Sequence, residues 1–314
     1  MTGKNNDLNM VGHDNLHHTM FEMMGNWSFG KYSLSKAIKL AWELLTEKYK
    51  IPKKKIYVTI FKGDKKKNLK FDKESYNTWK KLISKKRIIF FNKKYNFWKI
   101  NNFNLCGPST EIHIDIRNNN NNKSFKKLIN KDNNSIIELW NIVNIKYYIY
   151  KKKIYKNKNF LSNKYIDTGM GFERLCMIIQ NKKSTYDTDI FKFIINKIEK
   201  ILNIKYGINK YNDILIKIIS DHIRTIYYSI LEGIKPNNKK NGYIIRKLIR
   251  RSLIYSYKYI NKSKPFLFKI IPIFFKGKKN KYINYIKILK NEEKIFLMLK
   301  NYLIIKKIIK KKKY

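Results

Sequence analysis

IDTGMGFERLCMII, Ile166 to Ile179, sets two glycines among alternating residues and then places an arginine at the mouth of an apolar run. The alternation predicts a strand through Gly171, and the run from Leu175 to Ile179 predicts a helix directly after it. Gly169 and Gly171 are two apart, so on a strand they leave one face bare. A flat ligand such as a nucleobase can lie on that face, because backbone can approach it closely. Arg174 then stands at the strand-to-helix junction, where its planar guanidinium can stack on a base or fork onto phosphate. The same residues also fit a plain glycine-containing strand whose arginine pairs with Glu173 or a neighbour.

Outward from this stretch the chain changes character. Upstream, HHTMFEMMGNWSFG (His17 to Gly30) is dense in aromatics, methionine and glycine and predicts a strand packed on a core. SLSKAIKLAWELLTEKY (Ser33 to Tyr49) predicts a helix with Ser33 as N-cap and a stripe of Ala37, Leu40, Ala41, Leu44 and Leu45, ended by Pro52. IYVTIFKGD (Ile56 to Asp64) alternates and is β-branched, which predicts a strand closing in a Gly-Asp turn. Residues 66–95 read as a lysine-rich helix and strand, and Asn118 to Asn122 as a solvated loop. Ile136 to Tyr150 reads as one buried strand and Lys151 to Lys158 as a loop. From Asp189 the periodicity is helical, most clearly over 189–203, 213–231 and 242–259, ending in the basic LIIKKIIKKKKY. Strands precede helices here and do not alternate with them, so the fold class is α+β.

Composition excludes several classes. The 314 residues carry a net charge of +48, which favours polyanions, nucleic acid first. Lys, Asn, Ile, Tyr and Phe are all abundant, the pattern of an AT-rich genome, so only basic residues beside a specific motif count towards binding. Cys106 and Cys176 stand far apart with no CxxC, which indicates neither a disulfide framework nor a cysteine zinc site and fits a reducing, cytoplasmic setting. The polar N-terminus has no signal-peptide h-region, and no apolar run approaches the ~20 residues that span a bilayer, so no membrane association is expected. IIPIFF (Ile270 to Phe275) is short and reads as core. There is no GxxxxGK[ST], GxGxxG or HExxH, and His17-His18 alone is a weak metal signal.

Several segments occur in one order: HHTMFEMMGNWSFG, NFWKINNFNLCGPSTEIHID (Asn96 to Asp115), ELWNIV (Glu138 to Val143), DTGMGFERL, YDTD (Tyr186 to Asp189), SDHIRT (Ser220 to Thr225) and GIKPNNKKNGYIIRKLIRR (Gly233 to Arg251). Together they resemble the catalytic half of the alanyl-tRNA synthetases. The resemblance covers almost the whole chain and weakens across 65–95, 116–135 and 255–314. It implies a class II synthetase fold, an antiparallel sheet flanked by helices, over residues 1–188. A helical domain that recognises the tRNA acceptor stem would follow over 189–314. The implied activity joins L-alanine to ATP, with Mg2+, as alanyl-adenylate and passes alanine to the 3′ end of tRNA(Ala). DTGMGFERL looks like the third class II motif, which makes Arg174 the catalytic contact to the ATP phosphates and adenine. Lys4, Phe21, Glu22 and Gly171 would complete the ATP site, with Phe21 on the other face of adenine; a Phe among apolar neighbours is otherwise core.

By the same resemblance, Asp167 would hold the α-ammonium of alanine beside Gly169, with Trp98 and Val143 walling the methyl pocket and Asn141 near by. A carboxylate among glycines suits a cation. Asn238 would read the acceptor-stem G·U pair, and an amide can do so in the RNA minor groove. Arg246 and Arg250 share a helix face and are candidates for phosphate contact, with a solvated face the alternative. Asp221, His222 and Arg224 read as an internal helix network. In-line attack of a carboxylate on phosphate needs no protein nucleophile, so positioning and charge stabilisation would carry the rate.

The resemblance has gaps. The chain begins after the position of motif 1 and of the motif 2 arginine, Leu16 replaces a family arginine, and Lys31 replaces an acidic residue. It ends before the family's editing domain, zinc ligands and oligomerisation module. The expectation is therefore an alanine–tRNA ligase without editing, with no zinc and no implied oligomer. The alternative is a catalytically impaired remnant acting only as a basic RNA-binding protein.

Overall fold

The structure is a computed structural model and describes residues 8–100, 104–117, 128–129, 135–150, 153–156, 165–275 and 279–311. Lys4 and the Asn118–Asn122 run lie outside the described residues. The chain divides into two compact units, Glu22–Lys183 and a second that joins Met1–Phe21 to Ser184–Tyr314. The division thus gives the first 21 residues to the helical unit, whereas the sequence predicts a sheet domain running on from residue 1.

The first unit is a sheet with helices. Its strands are β1 (Met23–Phe29), β2 (Ile56–Phe61), β3 (Ile88–Phe91), β4 (Phe97–Ile100), β5 (Leu105–Asp115), β6 (Ile136–Ile145), β7 (Tyr147–Tyr150), β8 (Lys153–Lys156) and β9 (Tyr165–Gly171). The main order is β1-β9-β6-β5-β2-β3, and every pair is antiparallel except β2–β3 at the edge. β4 and β7 flank the first residues of β5, and β8 pairs with β7. The helices are α1 (Leu34–Glu43), α2 (Lys73–Trp79), α3 (Lys93–Asn96) and α4 (Phe172–Ile179).

Local chemistry explains these elements. Ser33 caps α1, its hydroxyl accepting the Lys36 N–H at 3.3 Å. The buried stripe of α1 is Leu34, Ala37, Ile38 and Ala41, continued by Leu45, while Leu40 is exposed. These side chains share one core cluster with Ile142 of β6, Ile166 and Met170 of β9, and Leu175 of α4. The helical stretch closes at Lys50, whose φ of 56° is left-handed, before Pro52 is reached. Gly63 turns the chain after β2 with φ of 89°. At Gly107 a Cβ would stand 1.8 Å from the Asn144 carbonyl oxygen, so the end of β6 runs directly over β5 there.

Three expectations change. β1 is a strand, but Met23, Met24, Trp27 and Phe29 are exposed, because β1 is the edge strand of the sheet. The segment read as one buried strand over 136–150 breaks at Lys146 into β6 and the half-exposed β7. Residues 153–156, read as loop, form β8, because β7 gives this lysine-rich segment a hydrogen-bonding partner.

The second unit is helical: α5 (Asp189–Leu202), α6 (Lys210–Leu231), α7 (Lys240–Ile260) and α8 (Lys279–Lys311). Isoleucines carry its core, with Ile194, Ile198, Ile219, Ile223 and Ile249 buried together with Phe191 and Leu215. Ile270 and Ile271 are buried in the same cluster, as read from IIPIFF. No helix of the described residues is long and apolar enough to cross a membrane.

Candidate active site

Alternation along β9 buries Ile166, Thr168 and Met170 and leaves Asp167, Gly169 and Gly171 half-open on the other face. Registers carry that face across the sheet. One row runs Thr59, Glu111, Asn141, Gly169, Gly25 through five strands. The next runs Ser109, Val143, Asp167, Trp27. Asn141, Val143, Asp167 and Gly169 therefore stand in two adjacent rows of one face, the grouping expected from the sequence. Trp98 lies opposite Gly107, two residues before Ser109 on β5, and is half-exposed.

The glycines leave the backbone reachable. The nearest atoms to a Cβ on Gly171 would be those of Arg174, at ordinary contact distance. A Cβ on Gly169 would stand 2.6 Å from the sulfur of Met23, and one on Gly25 would stand 2.3 Å from the ring of Trp27. Met23 and Trp27 are exposed, so movable side chains are what cover the bare strands. Trp27 was not anticipated as part of the face; its spacing of two from Gly25 on an edge strand is the signal that places it there.

Polar atoms on this face are poorly satisfied. Among the described residues, Asn141 Oδ1 and Ser109 Oγ are buried without a hydrogen-bond partner. Such atoms cost free energy unless something else supplies a partner. Burial raises the Asp167 carboxyl above the usual range, and a side-chain hydrogen bond from Trp27 offsets part of that rise. Burial likewise raises Glu111, against hydrogen bonds from His113 and Thr59, and the charge of Glu138 pushes in the same direction as burial. Thr59 Oγ1 donates to Glu111 Oε2 at 3.0 Å, and Asn96 Nδ2 donates to Thr59 Oγ1 at 2.8 Å. Two carboxylates thus approach each other on the sheet, a pairing that neither CGPSTEI nor ELWNIV discloses alone.

Arg174 sits at the start of α4. Its Nη1 donates to the Glu138 carbonyl oxygen at 2.7 Å, on a stretch of β6 beyond the end of β9. There β6 holds Leu139 as an extra residue between Trp140, opposite Ile112, and Glu138, opposite His113. Glu173 is buried and accepts the Glu22 N–H, while Phe172 N–H donates to the Glu22 carbonyl at 2.9 Å. Glu22 is thereby tied to the residues next to Arg174.

The helical unit holds the remaining candidates. Phe21 is half-buried. Asn238 is exposed in the turn that leads into α7. That turn is fixed by Asn237, whose Oδ1 accepts the Lys239 N–H at 2.7 Å and which packs on Gly242 so closely that a Cβ there would clash. Arg246 is held bidentately by Glu292, with Nε–Oε2 at 3.0 Å and Nη2–Oε1 at 2.8 Å. Arg250 lies over the Phe296 ring at 5.9 Å. The face these arginines share is therefore turned to α8 in this structure, and not to open solvent.

Asp221 organises the interior of this unit, as SDHIRT suggested. It accepts from His18 Nδ1 at 3.1 Å, from His222 Nδ1 at 2.8 Å and from the Thr19 N–H at 3.0 Å. Burial opposes its charge, but the hydrogen bonds from His18 and His222 win and hold its carboxyl well below the usual range. His222 Nε2 in turn accepts from Arg251 at 2.9 Å. His18 and His17 point to different partners, Asp221 and Asp14, and among the described residues no cluster of three or more His, Cys, Asp or Glu is arranged to hold a metal.

Known proteins share this chain's pattern. The family model for tRNA synthetases class II (A) matches residues 1–301. The alanine–tRNA ligase of Cytophaga hutchinsonii is 45% identical over 275 residues, which is 87% of this chain and 31% of that protein. That of Christiangramia forsetii is 42% identical over 276 residues, again 87% and 31%. That of Bacteroides fragilis is 42% identical over 306 residues, 95% of this chain and 35% of its own length. The chain thus spans about a third of the length of the curated relatives it matches. With a family match that runs through both units and includes the glycine strand, the chain belongs to the class II (A) tRNA synthetases.

Proposed function

We propose that the chain carries the catalytic part of an alanine–tRNA ligase of the cytoplasm, activating L-alanine with ATP and passing it to the 3′ end of tRNA(Ala). The observation that carries this reading is the buried, unpartnered Oδ1 of Asn141, set between Gly169 and Glu111 and one row from Val143 and Asp167. An acceptor in that position suits a small ligand bearing an ammonium group and one methyl. Asp167 holds the ammonium, Asn141 adds a second acceptor, and Val143 with Trp98 bounds the methyl.

Gly169 and Gly171 admit the flat adenosine, and Arg174 holds the phosphates. Lys4, Phe21 and Glu22 are proposed to complete the ATP contacts. Glu111 and Glu138 fit the Mg2+ that accompanies ATP, because a divalent ion offsets the burial and, with it, the like charge of Glu138 that raise Glu111. When bound, the ion would neutralise charge on the phosphates. The chain's own part is to align the alanine carboxylate with the α-phosphate and to fix both in place. Residues 1–188 are proposed as the aminoacylation domain and 189–314 as the part that meets the acceptor stem, through Asn238 with Arg246 and Arg250.

Pyrophosphate exchange into ATP tests the first step. Exchange that depends on alanine is expected, and no exchange, or exchange with another amino acid in place of alanine, would overturn the reading. Asn238→Ala should leave exchange intact and impair charging; unimpaired charging would remove Asn238 from the RNA contacts.

A further inference from the structure

Immediately before the glycine strand, Ile145 to Ile166 holds seven lysines, five tyrosines and no acidic residue. Its described part folds as the β7–β8 hairpin, which extends β5 beyond the main sheet. Tyr148 and Tyr155 face each other across the hairpin, and their rings stack at 5.5 Å and 24°. On the other flank of β5 lies β4, with Trp98 opposite Gly107. The Phe97 and Tyr147 rings approach to 6.0 Å on one side of these strands. Alternation therefore sets their neighbours, Trp98 and Tyr148, together on the opposite side.

This second side is the exposed one. Trp98 is 50% exposed, Tyr148 37% and Tyr155 39%. Lys153 is exposed at the tip of the same hairpin. Three rings turned outward on one strip of sheet, with Lys153 exposed beside them at the hairpin tip, are not explained by packing of the unit.

We propose that this strip stacks the unpaired bases of an RNA single strand, namely the 3′ end that receives the amino acid. Aromatic rings accept any base face, and lysines neutralise the phosphates between bases. A double helix hides its base faces, so the occupant is an unpaired end and not a stem. The strip ends at Trp98, which also bounds the methyl pocket, so the strand would be led to the place where alanine is held. The inference rests on the proposed transfer to tRNA and deepens it.

The test uses the full chain, a fluorescein-labelled single-stranded octaribonucleotide of mixed sequence, and anisotropy at low salt without alanine or ATP. Tyr148→Ala/Tyr155→Ala should raise Kd by about tenfold or more. Tyr148→Phe/Tyr155→Phe, which keeps both rings, should stay within about twofold of wild type, since stacking needs the ring and not the hydroxyl. Circular dichroism and thermal melting establish that each variant is folded. An unchanged Kd in the alanine variant, or an equal loss in the phenylalanine variant, would overturn the proposal. So would wild-type protein that ignores the oligonucleotide, or one that self-associates through the strip and becomes monomeric in the alanine variant. Because the assay contains no substrates of activation, its failure is separate from a failure of pyrophosphate exchange.

Discussion

The carboxylate of Glu173 accepts the backbone N–H of Glu22 with both oxygens, at 3.0 and 3.1 Å. With the Phe172 N–H bond to the Glu22 carbonyl, it fixes the start of β1 to the start of α4. Glu173→Ala would leave a half-buried amide without this acceptor and should cost about 1–3 kcal/mol. Urea denaturation measures the loss, and Glu173→Gln, which keeps one acceptor oxygen, should lose less.

Arg174 is anchored at one end by the Glu138 carbonyl. Arg174→Ala should lower alanine-dependent exchange by about a hundredfold or more, the usual scale for removing one stabilising contact to developing charge. Near-native melting behaviour is expected at the same time. Arg174→Lys should not restore the rate, because an ammonium cannot fork onto phosphate.

Alanine recognition should depend on pH through Asp167. The carboxyl must be ionised to hold an ammonium, and burial has raised it above the ordinary range. The charge is therefore lost at a higher pH than for an exposed aspartate, and KM for alanine should climb as pH falls through that region. Asp167→Asn should raise KM by about ten- to a hundredfold and abolish the acid limb, the scale of a hydrogen bond to a charged group. Exchange rates against alanine concentration at several pH values decide the matter.

Asp221 should set the acid stability of the helical unit. Its folded carboxyl is depressed, so the stability it adds is complete above the unfolded value of about 3.9 and is lost as pH drops below that towards the folded value. Asp221→Ala should cost about 3–5 kcal/mol at neutral pH, the scale for breaking a buried pair. The gap between wild type and variant should begin to close only below about pH 4, as read from denaturant midpoints.

The Arg246–Glu292 pair is partly exposed and should contribute on the order of 1 kcal/mol or less in a double-mutant cycle. If Arg246 serves RNA, Glu292 competes for the same guanidinium. Glu292→Ala is then expected to lower the Kd for tRNA in a filter-binding assay, whereas a raised Kd would mark the pair as positioning the arginine.

The sequence disclosed β9 and α4 because their signals are local: alternation, two glycines, then a compact apolar run. Ser33 and the isoleucine periodicity of the helical unit were legible for the same reason. β8 was not, because a run of lysine and tyrosine has no burial pattern until β7 pairs with it. The exposure of β1 depends on its place at the sheet edge, which no single strand encodes. Asp167, Asn141 and Val143 could be grouped only through resemblance, and registers now supply the physical basis by setting them in adjacent rows. Glu111 beside Glu138 arises from strand pairing alone, whereas Trp27 over Gly25 follows from a spacing of two within β1. Arg246 looked available on its helix; the partner that holds it lies 46 residues further on.

At Gly107 main chain crosses main chain, with the Asn144 carbonyl where any side chain would have to go. The two residues proposed to wall the methyl pocket, Val143 one residue before that crossing and Trp98 opposite it, are thus spaced by peptide units and not by neighbouring side chains. Peptide units are blind to base composition. A genome can exchange surface residues for lysine, asparagine and isoleucine across most of this chain while the width of the pocket stays where it was, so long as one codon keeps its first two bases.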